Sequence, residues 1–170
     1  TEKQYRDFKR FLQEKEVIEV NHIDKHNYKE YIGKTVKVYG DVDLRDIGFT
    51  KLPINFTEVS GYFWCSINKL TSLEGAPEKV GGDFACYNNK LTSLEGAPEK
   101  VGDSFYCHRN KLTSLEGAPK YVGGNFNCWN NQLTSLVGAP EEVGGNFDCR
   151  NNPLKSTKGK PAFIGGRFFK

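Results

Sequence analysis

The chain has 170 residues, which suffices for one domain or for one short array of repeats with a continuous core. Its apolar fraction of 37% is modest and its 18 glycines are many, a combination that favours a thin, turn-rich solenoid over a compact globule. The net charge of +3 does not indicate nucleic-acid binding, and no apolar run predicts a membrane span or a signal peptide.

Residues 1–35 are predicted to form an N-terminal α-helical cap. Apolar residues recur on one helical face between residues 5 and 12, and a second short helix is predicted over Lys25–Tyr31. Residues 17–20, with the sequence VIEV, are typical of a strand between the two helices. The first coil of a solenoid has an unpaired edge that needs cover, so we expect a cap. Participation of these helices in partner binding or self-association is the alternative.

From about residue 36 to residue 170 the chain repeats itself with a period of 21 residues. Columns of asparagine, leucine and proline share this period, and so do one column of phenylalanine and all five cysteines. The last two columns are Phe63, Phe84, Phe105, Phe126, Phe147 and Phe168, and Cys65, Cys86, Cys107, Cys128 and Cys149. Such regularity predicts a solenoid in which each repeat forms one coil.

Each repeat has the frame F-x-C-x-x-N-x-L. Alternation places Phe84 and Cys86 in the core and Ala85 and Tyr87 on the opposite face of a strand. The asparagine that follows, Asn89 in this repeat, is expected to turn its amide inward and to bond backbone groups of the bend.

This frame resembles the L-x-L-x-x-N-x-L frame of leucine-rich repeats. The repeat sequence "LTSLEGAP…VGG.F.C..N" is similar to those of repeat proteins of tailed phages and some bacteria. The resemblance covers residues 36–170 and implies a leucine-rich-repeat-like parallel β-sheet of about six to seven coils. It departs from the family in the spacing of "VGGDF", which is one residue longer between Val and Phe and has Gly in the leading Leu place. A three-sided parallel β-solenoid therefore remains the alternative fold.

The cysteines are predicted to be buried free thiols. Their number is odd, no C-x-x-C motif is present, and each occupies an interior position of its repeat. Neighbouring strands would nevertheless bring thiols within bonding range, so a disulfide or metal role is the alternative. His108 adjoins Cys107 but points to the opposite face, which precludes a nucleophile–base pair. We therefore expect a non-enzymatic protein without cofactor or bound metal.

The positions flanking each cysteine change from repeat to repeat, while the core positions stay constant. The changing positions are rich in Trp, Tyr, His and Arg, the residue types enriched at binding hot spots. Shielding of neighbouring strands by aromatic side chains is the structural alternative. The predicted partner-binding residues are Trp64, Tyr87, Tyr106, His108, Arg109, Trp129, Asp148 and Arg150.

We accordingly predict a protein-binding module that uses the concave face of its solenoid. By resemblance alone, the chain would be phage-encoded, would act in the cytoplasm of an infected bacterium and would modulate a host defence or regulatory protein. Two other functions remain open at this point. One is a structural or adhesin-type module of a phage or surface assembly, and the other is weak nucleic-acid binding through the row Lys69, Lys90 and Lys111.

Overall fold

The computed structural model describes residues 16–170, which form a parallel β-solenoid of two sheets. Most coils contribute one strand to each sheet. The eight-stranded first sheet consists of β1 (Val17–Val20), β2 (Thr35–Val38), β4 (Asn55–Val59), β6 (Lys79–Val80), β8 (Lys100–Val101), β10 (Tyr121–Val122), β12 (Glu142–Val143) and β14 (Phe163–Ile164). The seven-stranded second sheet consists of β3 (Val42–Asp43), β5 (Phe63–Trp64), β7 (Phe84–Ala85), β9 (Phe105–Tyr106), β11 (Phe126–Asn127), β13 (Phe147–Asp148) and β15 (Phe168–Phe169).

The strands of the second sheet pair in the register that the sequence period requires. Phe84 of β7 lies opposite Phe63 of β5 and Phe105 of β9, so each residue meets its equivalent in the next coil. The phenylalanine rings stack along the solenoid with centroid distances of 5.1 to 5.7 Å. This register confirms the solenoid class and the 21-residue coil.

The core consists of the same columns that the sequence repeats. Phenylalanine and cysteine from the second sheet meet valine from the first sheet, and two leucines of each regular coil fill the third side. In one coil these residues are Val80, Phe84, Cys86, Leu91 and Leu94, all at most 3% exposed. Alternation of buried and outward residues along short strands therefore determines which side chains form the core.

The asparagine column joins adjacent coils through their backbones. The Asn89 amide nitrogen donates to the carbonyl oxygens of Cys65, 3.1 Å away in the preceding coil, and of Cys86, 3.0 Å away in its own coil. Its side-chain oxygen accepts from the backbone N–H of Leu70 at 2.9 Å. The asparagine turns inward as predicted. Its side chain links adjacent coils by bonding their backbone groups.

The turn before each strand of the second sheet brings two coils into close backbone contact. A Cβ atom on Gly123 would overlap the carbonyl oxygen of Gly102, and the same relation holds between Gly144 and Gly123. Glycine at this position is therefore a steric requirement of the coil.

The described part of the predicted helical cap is not α-helical. The strand predicted at residues 17–20 is confirmed as β1, but it pairs with β2, so the first sheet begins before the predicted boundary at residue 36. Over Lys25–Tyr31 the structure has only a turn and a 3₁₀ helix, Tyr28–Tyr31. The side chain of Asp24 bonds the N–H of His26 at 2.7 Å, and Gly33 has φ of 75°, so the chain turns back before an α-helix can develop. The helix predicted near residues 5–12 lies outside the described residues.

The cysteines generate the first testable prediction. All five are free and buried, and burial raises the pKa of the Cys86 and Cys107 thiols well above its usual range. The thiol of Cys149, in the penultimate coil, has a pKa raised to about 11 by the same cause. A thiol-specific reagent should therefore label few cysteines in the native protein and all five after non-reducing denaturation. Rapid labelling of several native thiols, or recovery of fewer than five, would contradict the assigned core.

Candidate functional site

The outward side chains of the second sheet form two parallel rows, which together we call the outer face. The first row contains the residues before each cysteine, and the second row contains the residues after it. The rows read Asp43, Trp64, Ala85, Tyr106, Asn127, Asp148 and Phe169, and Arg45, Ser66, Tyr87, His108, Trp129 and Arg150. Because equivalent residues of neighbouring coils lie side by side, each row runs along the solenoid axis.

Three planar side chains of the second row form a continuous stack. The His108 ring lies 4.6 Å from the Tyr87 ring and 4.5 Å from the Trp129 ring, with interplanar angles of 6° and 11°. Tyr106 meets the edge of His108 at 6.3 Å, and the Arg109 guanidinium lies 5.0 Å from the Trp129 ring centre. The structure thus brings these five predicted residues together in one patch.

A second aromatic group lies nearer the N-terminal end of the outer face. Trp64 stacks on Tyr62 at 3.7 Å, and the Arg45 guanidinium lies 4.1 Å from the Trp64 ring centre. Two N–H groups of Arg45 donate to the Asp43 carboxylate at 2.8 and 2.6 Å. The predicted partner-binding residues include Trp64 but not Tyr62, Asp43 or Arg45, although the period places Asp43 and Arg45 at the flanking positions of the weakly matching coil before Phe63. The strand register confirms this placement, because Asp43 pairs with Trp64 and Arg45 precedes Ser66 in the second row.

Asp148 and Arg150, at the C-terminal end of the outer face, form a hydrogen-bonded ion pair. The guanidinium donates to the carboxylate at 3.0 and 2.6 Å and lies 5.0 Å from the Phe169 ring centre. Burial raises the pKa of Asp148, but the hydrogen bonds and charge of Arg150 outweigh burial and hold that pKa below its usual value. Asp148 is only 6% exposed, so it supports Arg150 and offers little surface of its own.

A groove of about 390 Å³ opens in the outer face between the two aromatic groups. Its floor is formed by Ser66 and Ala85, and its walls include Trp64, Tyr87 and Tyr106. Ala85 lies on the face opposite the core, as alternation predicts, but it is only 3% exposed because this small side chain lies beneath larger neighbours. Ser66 is likewise fully buried.

The described residues contain no group of three or more His, Cys, Asp or Glu side chains placed to hold a metal ion. Within residues 16–170 there is also no helix long and apolar enough to cross a bilayer. No protein-family model, no curated protein and no solved structure matches this chain. Assignment of a function therefore depends on the geometry of the outer face.

The stacked histidine generates a pH prediction. Burial disfavours the charged imidazolium and the Arg109 charge adds to this effect, so the pKa of His108 falls from 6.5 to about 4, although Asp148 opposes the change. Because the folded state holds the proton more weakly than the unfolded state, its stability is full above pH 6.5 and declines as the pH falls toward 4. His108 should contribute a slope of at most about 1.4 kcal/mol per pH unit in that window.

The measurement is the free energy of urea unfolding between pH 7 and pH 4, for the native sequence and for His108→Phe. Phenylalanine retains a stacking ring and cannot be protonated, so the variant should lose less stability on acidification. Carboxylates other than Asp148, whose charge interacts with His108, contribute equally to both proteins and cancel in the difference. Identical pH dependence of the two proteins would contradict a neutral, desolvated His108.

Proposed function

We propose that this chain is a non-enzymatic protein-binding module whose contact surface is the outer face of the second sheet. The observation that carries the proposal is the Tyr87–His108–Trp129 stack beside Tyr106. These half-buried rings already hold one another in place. Binding of a partner would therefore cost little conformational entropy in these side chains. Aromatic residues with an adjacent arginine are the side chains that carry most binding energy at protein interfaces.

Two finer features of the fold belong to the same proposal. We propose that the coils are of the leucine-rich-repeat type, in which the second sheet would be the concave sheet, supported by the inward asparagine after each short strand. We also propose that residues 1–35 cover the N-terminal end. Their described part supports this role, because Ile23 is 1% exposed and Tyr28 packs edge-on against Phe49 at 5.2 Å.

The partner we propose is a bacterial protein, and the setting is the cytoplasm of a host cell infected by a phage that encodes the chain. This setting is supported by the resemblance of the repeat sequence to the sequences of phage repeat proteins. A defence or regulatory protein of the host would be the natural target. Co-sedimentation of the chain with purified virions would instead indicate the structural or adhesin-type role.

The proposed surface is tested by the double substitution Tyr87→Ala with Trp129→Ala. Both side chains point away from the core, so the variant should stay folded and lose about 1–3 kcal/mol of stability from two broken stacks. Loss of two aromatic anchors should weaken partner binding by about thirtyfold or more. The measurement is affinity capture from bacterial lysate by the immobilised chain, followed by titration of the captured protein.

The matched control is Lys90→Ala with Lys111→Ala. These two exposed lysines lie beyond the outer face, and their loss should leave capture unchanged. If the aromatic variant captures normally and the lysine variant fails, the contact surface is the lysine row, and the proposal is wrong.

A further inference from the structure

The second row of the outer face is interrupted at one position. Its side chains are Arg45, Ser66, Tyr87, His108 and Trp129 in successive coils, and only the serine is small and non-planar. Tyr87 stacks on His108 with one face, so its other face is turned toward the preceding coil, which carries Ser66. Strands lie about 4.8 Å apart, which is close to the stacking distances in this row. The groove over Ser66 is therefore wide enough for one planar group against Tyr87.

The floor of the groove contains an unsatisfied hydroxyl. Ser66 is 0% exposed, and among residues 16–170 its Oγ has no hydrogen-bond partner. Buried hydroxyls are nearly always hydrogen-bonded, because an unpaired one loses its bonds to water and gains none in return. A polar ligand group placed directly above Ser66 would supply the missing partner once the hydroxyl turns toward the groove.

The groove is lined by one basic and one acidic side chain, Arg45 and Asp83, and of the two only Arg45 has an ion-pair partner. Asp83 lines it and accepts one backbone bond, from Ser104 at 2.9 Å, but no lysine or arginine of the described chain forms an ion pair with it. Burial raises the pKa of this carboxyl, and the nearby Asp103 raises it further. Arg45 also lines the groove, but both oxygens of Asp43 already hold its guanidinium. The uncompensated charge is thus that of Asp83.

Contacts already present on the outer face indicate which cation would suit the groove. Three guanidinium groups already lie over aromatic rings there, at distances of 4.1 to 5.0 Å from the ring centres. They are Arg45 over Trp64, Arg109 over Trp129 and Arg150 over Phe169. Two of these arginines also bond an aspartate at 2.6 Å. Tyr87 and Asp83 both line the groove and supply a ring and a carboxylate there, and no arginine of the described chain pairs with either.

We propose that the groove binds an arginine side chain of the partner protein. The guanidinium would stack on the free face of Tyr87 above Ser66 and donate to the Asp83 carboxylate, and the buried Ser66 hydroxyl would turn toward the groove to accept from it. Arginine fits better than lysine because its planar fork matches both a ring face and a carboxylate. A phenylalanine would leave Asp83 and Ser66 unpaired, and a carboxylate would be repelled by Asp83. This inference rests on the proposed protein-binding function and specifies the partner chemistry.

The direct test uses N-acetyl-arginine methylamide and its neutral, equally planar citrulline counterpart. Backbone amide signals of the native protein are followed by NMR during titration with each compound. The arginine compound should shift the signals of Ser66, Ala85 and Tyr87 saturably, with a Kd of roughly 1–10 mM for one side chain. The citrulline compound should bind about tenfold more weakly, because it lacks the charge. Equal binding of both compounds, or shifts confined to other coils, would overturn the inference.

Three variants sharpen the test. Asp83→Asn should bind the arginine compound about tenfold more weakly, since it loses the ion pair. The variant should fold, because asparagine already occupies the equivalent position two coils later. There the Asn125 side-chain oxygen accepts the equivalent backbone bond, from the N–H of Asn146 at 2.8 Å. Glu95→Gln removes the same charge from an exposed position that does not line the groove and should bind normally. Ser66→Tyr should fill the groove and abolish the shifts, while an otherwise unchanged amide spectrum shows that the coil is intact.

The outcomes for the inference and for the proposed function are separable. If the arginine compound does not bind the groove but Tyr87→Ala with Trp129→Ala abolishes capture of a partner, only the arginine assignment is overturned. If the compound binds as expected but that double variant captures normally, the protein-binding surface is wrong. Unaltered binding by Asp83→Asn would overturn the assigned pairing with the carboxylate.

Discussion

The structure depends above all on one constraint, the parallel stacking of 21-residue coils in exact sequence register. Each inward asparagine enforces this constraint, because its amide bonds the backbone of its own coil and of the coil before it. Asn110 donates to Cys86 and Cys107 at 3.1 Å each and accepts from Leu91 at 3.0 Å. A coil that slipped by one residue would lose these bonds and turn its core residues outward. In the regular coils, identical residues therefore recur at the positions that face the interior.

The same constraint creates the properties of the outer face. Coil spacing is close to the distance at which planar groups stack, so any run of aromatic residues at one outward position becomes an ordered stack. A small residue in such a run becomes the floor of a groove, as Ser66 and Ala85 show. The scaffold thus converts a change of one residue type into a change of surface shape, with no change in the backbone. This relation explains how coils with one common core can carry different outward residues.

Much of this architecture could be predicted from the sequence, because the period identifies neighbours directly. The buried phenylalanine and cysteine columns and the inward asparagine followed from alternation and spacing. The structure of Lys25–Tyr31 could not be predicted in the same way, because the helix signals at Asp24 and Gly33 also suit a compact turn. Pairing of β1 with β2 favours the turn. The burial of Ala85 could not be predicted by alternation alone, since it depends on the size of side chains in adjacent coils. Asp83 was overlooked because, from sequence, it belongs to the Gly-Gly turn, whereas the structure places it at the groove.

The decisive measurement of what holds the coils in register is the free energy of urea unfolding of Asn110→Ala compared with that of Asn127→Ala. Both changes remove the same side chain, but Asn110 bonds three buried backbone groups, whereas Asn127 lies on the outer face and its side chain has no hydrogen bond within the described residues. We expect Asn110→Ala to cost about 3 kcal/mol or more, because it leaves buried donors and acceptors unpaired. Asn127→Ala should stay within about 0.5 kcal/mol of the native protein. Equal and small losses for the two variants would contradict the claim that the asparagine column holds the coils in register.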